Sequence, residues 1–322
     1  MDRREARVAY LAEVATKYYD QNKSQQDIAD ELGITRSAVS RLLTEARERG
    51  IVEIIVHYPW RTSADLERAL MEMFPLKAAR VLIRGNKAYD EMVTGLGVLA
   101  AQYFTNTMKS NDIVGISWGS GLYQTIRALR PASYPDAEVV QLVGAVGTER
   151  SSAMGPLLAP LLANQLGAPC RYLHAPLLTE SEAGRAALLH DRSIRETLDV
   201  AARAAVALVG IGTTAPERYN PARHGYVSLA ELEDIRAAGG VGLIVGEHYD
   251  IDGNVLDISI NRRVVGISPE NLKRIPTIIG VGGDAIKGEA ILGALRGKWV
   301  NVLITDEAAA RRVLQLVAPS RR

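Results

Sequence analysis

Ser24-Gln25-Gln26-Asp27-Ile28-Ala29-Asp30-Glu31-Leu32-Gly33-Ile34-Thr35-Arg36-Ser37-Ala38-Val39-Ser40-Arg41-Leu42-Leu43 reads as two short helices joined by a tight turn. Ser24 is placed to cap the first helix, and Asp27 adds negative charge near that N-terminus. Ile28, Ala29 and Leu32 supply an apolar face at helical spacing, and Gly33 stands where a helix end favours a left-handed residue. Thr35 then caps a second helix whose buried face is Ala38, Val39, Leu42 and Leu43. Its other face carries Arg36, Ser37, Ser40 and Arg41. An ordinary helical hairpin would also turn a polar face to water. A small apolar residue in the first helix, a turn glycine and a cationic second helix together form the helix-turn-helix pattern of major-groove readers.

The neighbouring residues favour that reading. A helix is expected over residues 3–19, with Val8, Leu11, Ala15 and Tyr18 on one side. The β-rich run Ile51-Val52-Glu53-Ile54-Ile55-Val56 follows and suits a wing. A winged helix-turn-helix domain over residues 1–58 is therefore expected. Its candidate DNA contacts are Ser24, Gln25, Thr35, Arg36, Ser37, Ser40 and Arg41, with Arg36 and Arg41 suited to guanine edges or phosphates.

Charge qualifies this picture. The 322-residue chain has a net charge of only +1, and residues 1–58 hold nine Lys/Arg against ten Asp/Glu. Positive charge is local: residues 35–50 carry four arginines and two glutamates. Phosphate contacts would fall on the second helix, and a single copy would hold DNA weakly, so a dimer or higher assembly is expected. With 47% hydrophobic and 23% charged residues the composition is that of a globular protein, and the length suits two domains. No apolar run is long enough to span a bilayer, and Met1-Asp2-Arg3-Arg4-Glu5 leads into no signal-peptide core. A cytoplasmic protein with no membrane partner is expected. Cys170 is the only cysteine, which excludes an intrachain disulfide and reads as a buried, inert thiol.

Pro59 and the polar residues after it mark a boundary, and a helix is expected over 65–74. From residue 79 the rhythm changes. Short β-branched runs at 80–83, 112–117, 138–143, 205–210, 241–245, 277–281 and 300–305 alternate with amphipathic stretches at 90–108, 121–129, 154–166, 193–202 and 285–295. Near-continuous apolar strands between helices predict a parallel sheet covered on both faces. Residues 59–322 are thus expected to form an α/β domain, with ligands beyond the C-terminal ends of its strands.

Several strand ends carry polar groups. Trp118-Gly119-Ser120-Gly121 joins a strand to a helix and could cradle a phosphate, or could need its glycines for the turn alone. Gly212 and Thr213 form a second glycine turn with hydroxyls. Gly280-Val281-Gly282-Gly283-Asp284-Ala285 fits G-x-G-x-x-A, and Asp306 ends the next strand where a ribose-binding acid would stand. That fingerprint normally opens its domain, which counts against a dinucleotide site here. Lys287, one turn later, suits a phosphate or a sugar acid. In Glu247-His248-Tyr249-Asp250-Ile251-Asp252-Gly253 the acids could accept from sugar hydroxyls, although Asp252-Gly253 also reads as a reverse turn. Glu247 and His248 lack a third ligand, so no metal site is expected. His174 follows an apolar run and would either line a pocket or sit in the core.

The order of these motifs resembles the SorC family of bacterial sugar-responsive transcriptional regulators over nearly the whole chain. Tyr18-Tyr19, Ser24-Gln25, Ile28-Ala29, Gly33-Ile34-Thr35-Arg36 and Val39-Ser40-Arg41-Leu42-Leu43 carry the resemblance first, followed by Ala46-Arg47, Gly50-Ile51-Val52 and Leu66-Glu67. In the second domain it rests on Gly115-Ile116-Ser117-Trp118-Gly119, Gly210-Ile211-Gly212, Gly266-Ile267-Ser268, Gly282-Gly283, Lys287 and Leu303-Ile304-Thr305-Asp306-Glu307. The resemblance implies an effector domain similar to sugar-phosphate isomerases and glucosamine-6-phosphate deaminases, one that binds a phosphorylated sugar without turnover. It also implies a dimer or tetramer and no cofactor besides that effector. By the same resemblance, Gly119, Ser120, Gly121 and Lys287 form the phosphate side of the pocket, and Glu247, Asp250 and Asp252 the sugar side. Two departures stand out. Many relatives have a hydroxyl where Gly121 stands, and Leu142-Val143-Gly144-Ala145-Val146-Gly147 offers no lysine for an imine, so a covalent effector complex is not expected. The chain reads as a DNA-binding regulator, a repressor of a carbohydrate-utilisation operon. The alternative is an active isomerase or deaminase with a DNA-binding head, which would need an acid–base pair such as Asp250 and His174.

Overall fold

The computed structural model describes residues 3–52, 60–145, 157–223 and 225–318. The chain divides into two compact units, residues 1–59 and 60–322. The expected wing beyond Val52 and the expected boundary at residue 58 lie outside the described residues.

The first unit holds α1 (Arg3–Tyr19), α2 (Gln25–Leu32) and α3 (Arg36–Glu48). A complete capping box starts α2: Ser24 Oγ accepts from the Asp27 amide at 3.1 Å, and the Asp27 carboxylate accepts from the Ser24 amide at 3.0 Å. Gly33, at φ +66°, ends it. Thr35 Oγ1 then accepts from the Ala38 amide and starts α3. Leu11, Ile28, Val39 and Leu43 meet in a core private to this unit; of the residues expected on the apolar faces, Leu32 and Ala38 are only half-buried and Val8 is exposed, because each lies at the margin of its helix's packed face.

The second unit runs α4 (Ala64–Met73), β1 (Ala78–Leu82), α5 (Tyr89–Thr107), β2 (Ile113–Ile116), α6 (Ser120–Ala128), β3 (Glu138–Gln141), α7 (Leu158–Leu166) and β4 (Cys170–Arg171). It continues with α8 (Glu182–His190), α9 (Arg192–Ala201), β5 (Val206–Gly210), β6 (Gly212–Thr213), α10 (Asn220–Arg223), α11 (Leu229–Ala237), β7 (Gly242–Ile244) and β8 (Glu247–Tyr249). Then come α12 (Pro269–Arg274), β9 (Thr277–Val281), α13 (Gly288–Arg296), β10 (Val302–Asp306) and α14 (Glu307–Val317). Single 3₁₀ turns stand at Asn261–Arg263 and Ala285–Lys287.

Seven strands form one sheet in the order β1-β10-β9-β5-β2-β3-β4, and every pairing is parallel. Alternate residues of each strand enter two different cores. Val206 and Leu208 pack with α5, α6 and α7, whereas Ala207 and Val209 pack with α9, α12, α13 and α14. Because both faces are covered, the strands read as unbroken apolar runs. The run at 241–245 departs from the expectation: its strand, β7, belongs to a separate antiparallel sheet, β6-β7-β8. Its apolar pattern is that of any buried strand, so burial alone could not distinguish the two sheets.

Candidate functional site

In the parallel sheet the chain leaves β2 towards β3 and leaves β5 towards β9, on opposite sides. The crevice between β2 and β5 is therefore a topological switch point, where open α/β sheets bind their ligands. A pocket lies there, lined by residues at or beyond the C-terminal ends of β2 (Ser117 to Gly121), β5 (Gly210 to Thr213) and β9 (Val281, Lys287). Ser117 Oγ accepts from the Gly210 amide at 3.3 Å and ties two of these walls together. Gly119, at φ +142°, starts α6 with a backbone that only glycine holds without strain. A Cβ on Gly121 would meet Val281 Cγ1 at 2.8 Å, so Val281 leaves no room for a side chain there. The turn thus combines exposed backbone donors at a helix N-terminus with little side-chain bulk.

Lys287 reaches into this pocket from the 3₁₀ turn after β9. Its Nζ donates to the Ile211 carbonyl at 2.8 Å. Burial lowers the amine to about 8, the Arg218 guanidinium adds to that fall, and Asp284 opposes it. The Trp118 Nε1–H is buried without a hydrogen-bond partner among the described residues. Lys287 and Arg218 both line the pocket, and two cations on one pocket answer an anion. Val245 and Gly246, at φ +49° and +87°, form the two-residue turn of the β7–β8 hairpin and close one side. A β-branched residue at positive φ is a rare, strained choice, of the kind held at ligand sites.

The structure brings Gly119, Ser120, Gly121, Gly212, Thr213 and Lys287 together, as the sequence reading grouped them. It does not bring Asp250 and Asp252. Both Asp250 oxygens are used inside their own turn, accepting from the Asp252 and Asn254 amides and from Asn254 Nδ2. Asp252 pairs with Arg296 at 2.9 Å. Gly253 presses so closely on α13 that a Cβ would meet the Gly293 carbonyl at 2.3 Å, which fixes this turn to the helix and away from the pocket. Glu247 follows the lining residues Val245 and Gly246 without lining the pocket itself. It is buried, and desolvation raises its carboxyl to about 7 against the pull of Arg185. His174 is exposed, in neither the pocket nor the core. Asp306 is fully buried and structural: Oδ1 accepts from the Asp284 amide and caps α14 through Ala309. The dinucleotide reading thereby loses its ribose acid, and Gly283 is explained by Leu96 and Met92, which leave no room for a Cβ. Among the described residues no cluster of His, Cys, Asp and Glu could hold a metal ion. Cys170 is half-buried in an edge strand, and burial pushes its thiol up to about 11, where it is inert.

Sequence reasoning missed Arg218, Asn220 and Pro221, which line the pocket from the segment after β6. The Arg218 guanidinium lies 3.7 Å over the Tyr89 ring. That segment has no periodicity, and only its two prolines hinted at a shaped loop. A buried network holds it in place. Asn261 Oδ1 accepts from the His248 amide at 2.9 Å and stands 3.0 Å from His248 Nδ1. Since that oxygen can only accept, the ring proton sits on Nδ1, and Nε2 accepts from Tyr219 O–H at 2.9 Å. Burial lowers His248 to about 4, so the ring is neutral and Tyr219 stays anchored beside Arg218.

On α3, Thr35, Arg36, Ser37, Ser40 and Arg41 are all exposed, beside Ser24 at the start of α2 and the half-buried Gln25. The Ser24 and Thr35 hydroxyls are engaged as caps. Arg7 and Arg49 both pair with Glu45, so the local positive balance is divided unevenly. Arg36 and Arg41 have no hydrogen-bond or ion-pair partner among the described residues.

A helix-turn-helix head and a parallel α/β unit with an anion-suited pocket define a ligand-binding transcriptional regulator. Comparison with known proteins agrees. Residues 58–315 match the family described as "Putative sugar-binding domain", and residues 7–63 match the Crp-like helix-turn-helix domain. The chain is similar to the deoxyribonucleoside regulator of Bacillus subtilis (strain 168), at 33% identity over 98% of this chain and 99% of the relative. It is also similar to the transcriptional regulator LsrR of Klebsiella pneumoniae, at 32% identity over 96% of this chain and 93% of the relative. The crystal structure of the full-length sorbitol operon regulator SorC from Klebsiella pneumoniae superposes with a TM-score of 0.73, at 28% identity over 95% of this chain and 98% of that one. This chain belongs to the SorC family of transcriptional regulators. It is a DNA-binding regulator with a sugar-binding domain, and the isomerase or deaminase reading is set aside because full-length relatives are regulators. No helix among the described residues is long and apolar enough to cross a membrane.

Proposed function

We propose that this regulator is a cytoplasmic repressor of a carbohydrate-utilisation operon, controlled by a phosphorylated sugar bound between β2, β5 and β9. The observation that carries the reading is the half-buried Lys287, whose amine has a carbonyl as its hydrogen-bond partner and which lines the pocket together with a glycine turn at a helix N-terminus. A phosphate would replace that carbonyl by a charge-assisted partner and would take further donors from Gly119, Ser120 and Gly121. Gly212, Thr213, Asn220 and the Trp118 N–H would meet the sugar, with Arg218 as the second cation. The effector is the one small molecule the domain requires, and no other cofactor takes part. On the head, Ser24, Gln25, Thr35, Arg36, Ser37, Ser40 and Arg41 would contact operator DNA. Residues 1–58 have a net charge of −1, which supports binding as a homodimer or homotetramer.

A thermal-shift and calorimetric screen of phosphorylated and free sugars tests this, because a ligand that binds only the folded state raises the melting temperature. A phosphorylated sugar should stabilise the protein where its free sugar does not. Lys287→Met should weaken that binding by about 1.5–3 kcal/mol, the scale of a charged hydrogen bond. Equal stabilisation by free sugars, or full affinity in the variant, would remove the phosphate from the reading.

A further inference from the structure

The second unit begins with Trp60, directly after the segment that joins it to the head. Its first residues are held by β1 and by the loop that follows β1. The Ser63 amide donates to the Val81 carbonyl at 2.9 Å, Thr62 bridges Leu82, and the Ile83 amide donates to the Arg61 carbonyl at 2.8 Å. Trp60 packs against α5 so tightly that a Cβ on Gly95 would meet its ring at 2.7 Å, and Lys87 Nζ lies 5.6 Å from the ring centroid. Residues 84–87 are folded into a turn by Arg84, whose Nε donates to the Lys87 carbonyl at 3.0 Å.

The same Arg84 side chain reaches the pocket's lysine turn. Its Nη1 lies 3.3 Å from Asp284 Oδ2, in an ion pair that is mostly buried. Asp284 and Lys287 are tied together within one turn. The Asp284 carbonyl accepts from the Lys287 amide at 3.0 Å, and Asp284 Oδ1 accepts from the Ile286 amide at 3.3 Å. Asp284 has φ +85°, a conformation that L-residues rarely adopt, and it is held there by the hydrogen bond that its backbone N–H donates to Oδ1 of the buried Asp306. A strained turn with one end in the pocket and the other on Arg84 has a reason to exist in two arrangements.

Resting on the reading of the pocket as an anion site, we propose that the Arg84–Asp284 pair is a positioning device that transmits occupancy of the pocket to Trp60–Ser63, where the chain enters from the head. Without an anion, Lys287 holds the Ile211 carbonyl and the turn keeps its strained form. With an anion, Lys287 exchanges that carbonyl for a doubly charged partner, and this difference in contacts supplies the free energy that shifts the turn. Arg84 follows Asp284, the 84–87 turn follows Arg84, and the Lys87–Trp60 contact changes.

The three tryptophans allow a direct test in the full-length protein. Trp118 lines the pocket, Trp60 sits at the far end of the relay, and Trp299 is buried elsewhere, its Nε1 donating to the Gly253 carbonyl. The protein is labelled with 5-fluorotryptophan, each ¹⁹F resonance is assigned by a Trp→Phe variant, and inorganic phosphate is titrated against sodium chloride of matched ionic strength. The Trp118 and Trp60 resonances should shift with one common midpoint while Trp299 stays still. In Arg84→Gln the Trp118 shift should persist and the Trp60 shift should be lost. Asp284→Asn, which removes the charge and keeps a residue tolerant of positive φ, should behave the same way, and an unmoved Trp299 resonance reports that each variant is folded. A Trp118 shift without a Trp60 shift in the parent protein, or a Trp60 shift that survives both substitutions, overturns the relay and leaves the pocket reading intact. Absence of both shifts overturns the pocket reading and the relay with it.

Discussion

The recognition helix and the effector pocket hold their cations in opposite ways. Arg36 and Arg41 stand in solvent, unpaired among the described residues, while neighbouring arginines are spent on Glu45. Lys287 is half-buried, its amine drawn down to about 8 by desolvation and bonded to a backbone carbonyl. An exposed cation is ready for a polyanion but gains little from any single contact, because water and salt screen it. A desolvated cation costs energy until its partner arrives, and then the interaction is strong and specific. The exposed face of α3 is therefore cheap to maintain, and in the proposed reading it gains strength only from several copies. The pocket is costly and must be held by its surroundings.

The largest test of this contrast lies in those surroundings. Asn261 satisfies the His248 backbone and ring as well as the Leu256 carbonyl. Asn261→Leu should lower stability by about 3 kcal/mol, since it strands several buried polar groups at once. It should also weaken effector binding through the freed Tyr219–Arg218 segment. Denaturant unfolding and calorimetry would measure both, and a stability loss below about 1 kcal/mol would mean that the loop is held by something else. On the head the expected effect is smaller and confined to DNA. Arg41→Ala should weaken operator binding by roughly 1–3 kcal/mol if it reads a base, with no change in folding stability. Footprinting across salt concentrations would distinguish a base contact, which alters sequence preference, from a phosphate contact, which lowers the salt slope.

The mildest test uses pH. The folded Lys287 amine sits near 8, below its ordinary 10.5, so the unfolded chain binds more protons in that interval. This site's contribution to stability should then rise as pH increases from about 8 to 10.5 and be absent as a gain below that window. Anion binding should show the opposite sign. The anion selects the charged amine, so affinity falls above about pH 8 by at most tenfold per pH unit, with proton uptake on binding. Calorimetry in buffers of different ionisation heat would detect that uptake. Affinity flat across this range would show that Lys287 does not face the anion.

The two regions also differed in how far they could be read from sequence. Ser24, Gly33 and Thr35 act through hydrogen bonds and dihedrals within a few residues, so caps, turn and exposed face were visible in one continuous stretch. The glycine turns at 119–121 and 212 and the lysine at 287 were legible for a related reason: each is a local strand-end signal, and a parallel sheet puts such ends together. Arg218 left no trace, because its position depends on a histidine and an asparagine from distant segments. Asp250 and Asp252 misled. Acidic residues before a glycine serve sugar binding and tight turns equally well in composition, and only the contact of Gly253 with α13 decided between the two. The relation of β7 to the main sheet was hidden in the same way, since apolar runs report burial and not partners.

The self-contained core of the head has a consequence for the order in which this molecule comes into being. Its packing residues, from Leu11 to Ala46, are contiguous in the chain, whereas the pocket walls are completed only when Lys287 has been made. Domains fold as units from the N-terminus during synthesis. Every new copy thus carries a finished DNA-reading helix while still on the ribosome, well before it can sense anything. With a net charge of −1 over residues 1–58, such a nascent chain has little overall electrostatic attraction to DNA before its sensor is complete.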